Sequence, residues 1–165
     1  MPRAGLALGS NLGDRLASLR TAVACLCDVA TQGEPVLVAP IYQTKPLDCP
    51  PGSPDFYNSV IEIEFIGNAR ELLSKTRAVE KLLGRTPGSE RNSPRVIDID
   101  LLYFGDLCCD DPMLVLPHPR LGMRRFVLQP LADIRPTLVL PGQQRTISEM
   151  LKSLSDDEPL LHRVC

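Results

Sequence analysis

The chain has 165 residues, 18 Lys and Arg against 20 Asp and Glu, a net charge of −2 and 44% hydrophobic content. That balance excludes a disordered chain, and without a basic block it gives no support to a general nucleic-acid surface. No apolar run approaches the roughly 20 residues of a membrane span, and the N-terminus lacks a secretory signal pattern, so one cytoplasmic domain over residues 1–165 is the expectation.

Gly5-Leu6-Ala7-Leu8-Gly9 is short and apolar and reads as a buried first strand. Ser10-Asn11-Leu12-Gly13-Asp14 follows as a turn of helix-capping residues. Leu16, Leu19, Val23, Leu26 and Ala30 then recur at helical spacing, with Gly33 as a stop. A strand, a glycine turn and a helix start can cradle an anion on backbone N–H groups. This one matches neither the P-loop nor the dinucleotide fingerprint, and a plain tight turn into an amphipathic helix explains it equally well.

Pro35 to Tyr42 reads as the second strand. Between Thr44 and Asp55 come Pro46, Pro50, Pro51, Gly52 and Pro54, which exclude a helix or a central strand. Phe56-Tyr57-Asn58 opens the third strand. Ile61, Ile63 and Phe65 alternate there with Glu62 and Glu64, the pattern of a strand buried on one face. Asn58 could hydrogen-bond a heteroaromatic ligand or merely cap a turn. Asn68 and Glu71 form a capping pair for a helix running through Leu72, Leu73, Thr76, Val79, Leu82 and Leu83 to Gly84.

The loop from Gly84 to Arg95 carries Arg85, Arg91 and Arg95 and delivers directly into Val96-Ile97-Asp98-Ile99-Asp100-Leu101-Leu102-Tyr103-Phe104. That run is a strand by composition. Asp98 and Asp100 share one face of it, roughly 6.5–7 Å apart, and Ile97, Ile99 and Leu101 share the other. Paired carboxylates repel unless a cation lies between them, and Mg²⁺ takes one or two carboxylates together with substrate phosphates. Arginine's planar fork suits phosphate oxygens. The same residues would also make a half-exposed strand behind a solvated loop.

Leu114 to Arg120 follows, then a short helix from Arg124 and Phe126 to Ala132, a short strand over Thr137 to Leu140, and a last helix capped by Thr146 and Glu149. Six cysteines, none in CxxC spacing and with only two histidines in the chain, give no support to a zinc site and read as free thiols. The element order β-α-β-β-α-β predicts an α+β class: a ferredoxin-like split β-α-β core, with helices packed on an antiparallel sheet and C-terminal helices added.

The chain resembles the 6-hydroxymethyl-7,8-dihydropterin pyrophosphokinases from about Leu6 to Gly142. The resemblance rests on Leu8-Gly9-Ser10-Asn11-Leu12-Gly13-Asp14, Tyr42-Gln43-Thr44-Lys45-Pro46, Phe56-Tyr57-Asn58, Pro94-Arg95-Val96-Ile97-Asp98-Ile99-Asp100-Leu101-Leu102 and Leu116-Pro117-His118-Pro119-Arg120. It implies transfer of diphosphate from Mg-ATP to a pterin alcohol in folate biosynthesis, with AMP as the other product. It further implies Asp98 and Asp100 as ligands of two Mg²⁺ ions and Arg85 and Arg95 as catalytic arginines. Arg77, Glu80, Arg91, Ile99, His118 and Arg124 would join them in binding ATP. Thr44, Lys45, Pro46, Leu47, Phe56, Asn58 and Phe126, together with Asp98, would bind the pterin, with Phe56 and Phe126 sandwiching its ring. The implied partners are ATP and the pterin, with neither nucleic acid nor membrane, and a monomer is favoured. Three positions depart from the common family pattern: Arg77, Asn92 and Pro119. Asn92 and Pro119 keep open a non-catalytic nucleotide- or pterin-binding module, and the acidic pair alone would also permit a different two-metal enzyme, a phosphohydrolase or nuclease.

Overall fold

The computed structural model describes residues 1–46, 49–85 and 94–164. Strand β1 (Arg3–Ser10) turns at Asn11 into helix α1 (Arg15–Val29), which Asp14 caps by accepting the Ala17 N–H at 3.0 Å. Short strands β2 (Leu37–Val38) and β3 (Tyr42–Thr44) precede the long β4 (Phe56–Glu64). Helix α2 (Ala69–Leu82) starts at the expected capping box of Asn68 and Glu71. Strand β5 (Asp98–Phe104) leads to the hairpin β6 (Cys109–Asp111) and β7 (Leu114–Leu116). Helices α3 (Arg125–Ile134) and α4 (Ile147–Lys152) and the short strand β8 (His162–Arg163) complete the described chain.

Among the described residues the main sheet runs β5-β1-β4-β3-β8, with β2 also paired to β4, and every pairing is antiparallel. This is the α+β, split β-α-β arrangement that the element order foretells. One face carries Leu6, Leu8, Ile61, Ile63, Ile99 and Leu101 against α1 and α2. The other carries Val60 and Leu102 against Val127, Leu128 and Leu131 of α3 and Ile147 and Met150 of α4. No helix among the described residues is long and apolar enough to cross a membrane. No disulfide joins the described cysteines.

Several sequence expectations need correction. The strand expected from Pro35 to Tyr42 is split into β2 and β3: Ala39 still donates to the Val60 carbonyl of β4 at 2.9 Å, but Pro40 after it has no N–H to give. Helix α1 ends at Val29, before Gly33. Thr137 to Leu140 is not a strand. Its neighbourhood serves the start of α4 instead: the carbonyls of Pro136 and Leu138 accept from Ser148 and Ile147 at 3.0 and 2.9 Å.

The third strand is buried on both faces rather than one. Glu62 is fully buried where α3 covers it. Arg3 reaches it at 2.6 Å, Arg135 holds both of its oxygens at 2.8 Å, and the Tyr103 hydroxyl donates to it. Burial alone would raise this carboxyl's pKa, but those three partners outweigh it and hold the pKa below its ordinary value. The strand is legible as amphipathic only because its counter-cations lie 59 and 73 residues away in sequence.

Strand β1 shows why this face can take such bulk. A Cβ on Gly5 would stand 2.3 Å from the Tyr103 ring. A register shift between Gly5 and Leu6 brings Tyr103 opposite Gly5, and so onto the glycine's face.

Candidate active site

The site lies at the end of β1 and β5 where Gly9 pairs with Asp98 and Ala7 with Asp100. Alternation puts the two carboxylates on one side of the sheet, as the spacing requires, while Ile97, Ile99 and Leu101 are buried. Asp98 and Asp100 line both of two adjoining clefts, one of about 420 Å³ and one of about 740 Å³. Arg95, His118 and Pro119 also belong to both.

The smaller cleft adds Arg77 and Glu80 of α2, Arg85 and Ile99. Pro112 to Val115 of the β6–β7 hairpin close its far wall. Arg85 Nη1 donates to Glu80 Oε1 at 2.6 Å and to Asp98 Oδ1 at 2.7 Å, and Arg95 Nη1 donates to Asp98 Oδ2 at 3.1 Å. Glu80 also accepts the Ile99 N–H at 2.7 Å. Burial raises the Glu80 carboxyl, partly offset by the Ile99 N–H and by Arg85.

The larger cleft is lined by Thr44, Lys45, Phe56, Asn58, Arg124 and Phe126. Asn58 Nδ2 donates to Thr44 Oγ1 at 2.8 Å, which orients the amide and leaves its Oδ1 as an acceptor. Arg124 lies over Phe126, its Cζ 5.4 Å from the ring centroid. A Cβ on Gly9 would come within 3.1 Å of Asn58 Oδ1 and 3.7 Å of Phe56. Glycine there leaves room for both side chains over the strand.

Asp100 titrates well above the usual carboxylate range. Burial is the main cause, followed by the charges of Asp98 and Glu80, while Arg124 and Arg85 only moderate it. An acidic site short of cation in this way is where a hard divalent ion is stabilising. No cluster of three or more His, Cys, Asp or Glu stands ready to hold a metal among the described residues. Mg²⁺ does not need one, since substrate phosphates and water complete its shell. The donor set therefore fits magnesium, provided that Arg85 and Arg95 release Asp98 to it and turn to phosphate.

His118 is held neutral chiefly by burial, then by the cations Arg124 and Arg120. Its Nδ1 accepts the Arg120 N–H at 3.2 Å, so Nε2 carries the proton and can donate.

Most of the residues named from sequence come together here. Arg124, expected on the nucleotide side, lines the larger cleft with the aromatics. Pro46 lines neither cleft. Leu47, Arg91 and the departure at Asn92 lie outside the described residues. Sequence reasoning missed Leu73, Met113, Val115, Arg120, Met123 and Glu158 as lining residues. It also missed what the small residues Gly5, Ala7 and Gly9 signal: alternate small side chains in a strand mark a face that something bulky must cover.

A model of the family described as 7,8-dihydro-6-hydroxymethylpterin-pyrophosphokinase (HPPK) matches residues 5–136. The 2-amino-4-hydroxy-6-hydroxymethyldihydropteridine pyrophosphokinase of Bacillus subtilis is 42% identical over 129 residues, 78% of this chain and 75% of that protein. The protein of that name from Methylorubrum extorquens is 40% identical over 158 residues, 93% of this chain and 94% of that one. The chain spans only 20% of folic acid synthesis protein fol1 of Pneumocystis carinii, to which it is 32% identical over 154 residues. Among solved structures, Plasmodium falciparum HPPK-DHPS wild type with pteroate superposes with a TM-score of 0.69 at 16% identity, covering 92% of this chain and 42% of that one. That likeness shows the fold. The family model and the bacterial relatives go further, and on them the chain belongs to the 7,8-dihydro-6-hydroxymethylpterin-pyrophosphokinase family.

Proposed function

We propose that this chain transfers a diphosphate from Mg-ATP to the hydroxymethyl group of 6-hydroxymethyl-7,8-dihydropterin, releasing AMP. The observation that carries the reading is the meeting of two clefts at one pair of carboxylates. A transfer enzyme needs two substrates to touch at a charged point, and a simple hydrolase needs no second, aromatic-lined cleft.

ATP occupies the cleft of Arg77, Glu80, Arg85, Arg95, Ile99 and His118. The pterin lies in the larger one between Phe56 and Phe126, where offset stacking adds about 0.5–1.5 kcal/mol to the burial of a flat ring. Asn58 Oδ1 accepts from its N–H edge, and Thr44 and Lys45 complete the wall. Asp98 and Asp100 would hold two Mg²⁺ ions, and the chemistry these would supply is charge neutralisation at the phosphates.

In the reaction the pterin hydroxyl oxygen forms a bond to the β-phosphorus and its proton is released. The bond from that phosphorus to the α–β bridging oxygen breaks, and AMP leaves. Arg85 and Arg95 lie on Asp98 and stabilise charge growing toward the leaving group, provided they gain contact as the bond breaks. His118, with Nδ1 engaged as an acceptor, donates from Nε2 to the nucleotide without adding a further positive charge. No strong general base is required if the site supplies orientation. Both clefts are lined by a single chain, so a monomer suffices, and a cytoplasmic location accords with these substrates.

The test is incubation with ATP, Mg²⁺ and the pterin alcohol. AMP rising in step with pterin diphosphate is the expected result. ADP or inorganic phosphate in its place refutes the reading, and tight Mg-ATP binding without product would leave a binding module.

A further inference from the structure

The Ser10-Asn11 turn has no part in the chemistry described so far, and neither residue is among those lining the two clefts. Asn11 is nevertheless fully buried. Its backbone N–H donates to the carbonyl of Arg95 at 3.0 Å, and its Oδ1 accepts the Arg95 N–H at 2.7 Å. One residue thus holds both backbone groups of an arginine 84 positions away.

The register explains the meeting. Gly9 faces Asp98 across β1 and β5, so the chains running on from that pair bring Asn11 beside Arg95. Strand β5 begins only at Asp98, and the Asn11 contact takes the place of a ladder there. Arg95 in turn belongs to both clefts, with Nη1 on Asp98 and a buried Nε that has no partner among the described residues. Its side chain is long and has many rotamers, so the position of its guanidinium depends on a fixed backbone. A misplacement of about 1 Å in a positioned group can cost about 10²-fold in rate.

We infer that Asn11 is a positioning residue for diphosphate transfer, which fixes the Arg95 backbone so that its guanidinium reaches the point where the two clefts meet. The inference rests on the proposed reaction. A residue that acts only through Arg95 has nothing to contribute once Arg95 is gone, whereas a residue that merely stabilises the fold does.

The experiment is a double-mutant cycle on kcat for AMP formation, with Asn11→Ala, Arg95→Ala and the two combined. Arg95→Ala should lower kcat by about 10²-fold. Asn11→Ala should lower it by about tenfold while KM for ATP stays within about threefold. The double variant should match Arg95→Ala within about twofold. Losses that multiply instead overturn the inference.

Should Asn11→Ala fail to fold, Asn11→Asp takes its place. It keeps the oxygen that accepts from Arg95 and puts the second oxygen of a carboxyl, kept neutral by its burial, in place of an amide nitrogen without a partner among the described residues. Its kcat should stay within about threefold of wild type, and a loss as large as that of Arg95→Ala overturns the inference. Failure of the wild type to make AMP removes the reaction and the inference together. AMP from the wild type with multiplying losses removes the inference alone.

Discussion

Glu80 Oε1 accepts the backbone N–H of Ile99 at 2.7 Å, which pins helix α2 to strand β5 at the residue between the two aspartates. Glu80→Ala should leave that buried N–H unpaired and cost about 1–3 kcal/mol of stability, read from urea unfolding. It should also lower turnover, since Arg85 loses one of its two carboxylate partners. Glu80→Gln keeps an acceptor and should hold the stability. Equal midpoints for the alanine variant and wild type would show that the tie is idle.

The two aspartates should respond differently to removal. Asp98 is gripped by Arg85 and Arg95, while Asp100 is half-buried beside like charges. Asp100→Asn relieves repulsion, so in the absence of metal and nucleotide its melting temperature should equal or exceed that of wild type. Asp98→Asn loses two charged contacts and should gain nothing. Both should abolish AMP formation. A collapse of melting temperature in Asp100→Asn would make that acid a structural one.

Asn58 is expected to act on one substrate only. Asn58→Ala removes the oriented amide from the larger cleft and leaves the smaller one unchanged. KM for the pterin should rise by about tenfold or more, because a site that hydrogen-bonds its ligand discriminates strongly. KM for ATP should not move. A matched rise in both constants would mean that the change acts through the fold.

Two buried groups contribute at opposite ends of the pH profile of stability, beside Tyr103, which burial also raises, and Asp100, whose raised carboxyl acts against Glu62. Burial, and then the hydrogen bond to Asp133, push the Tyr42 hydroxyl up to about 12. Its folded pKa is above the unfolded value of about 10, so its contribution is complete below pH 10 and is lost as pH climbs toward 12. Glu62 is shifted the other way, below its ordinary 4.5. Its contribution is present above that value and is lost as pH falls further. Urea midpoints of wild type should drop at both ends. Tyr42→Phe should flatten the alkaline limb and Glu62→Gln the acid one. Unchanged slopes in these variants would assign the losses to other groups.

Local signals were sufficient wherever the answer depended on neighbours in sequence. The capping box of Asn68 and Glu71, the start of β4 at Phe56, and the common face of Asp98 and Asp100 all follow from spacing and propensity. What lies above that face was not legible. Glu62 read as a solvated position because Arg3, Tyr103 and Arg135, which make its burial affordable, come from three other segments. Leu138 looked like a strand residue, but its carbonyl is needed by Ile147 at the start of α4.

By itself the sequence determined the order of β1, α1, β4, α2 and β5, the acid pair and the arginines that precede it, because periodicity and charge are properties of adjacent residues. Only the tertiary structure decided that two clefts meet at those acids, that Arg85 bridges Glu80 and Asp98, and that Asn11 holds Arg95. Each of these joins residues far apart in the chain, and burial removes the water that would otherwise satisfy their polar groups. Partners must then be found wherever the fold brings them, and no local pattern encodes that.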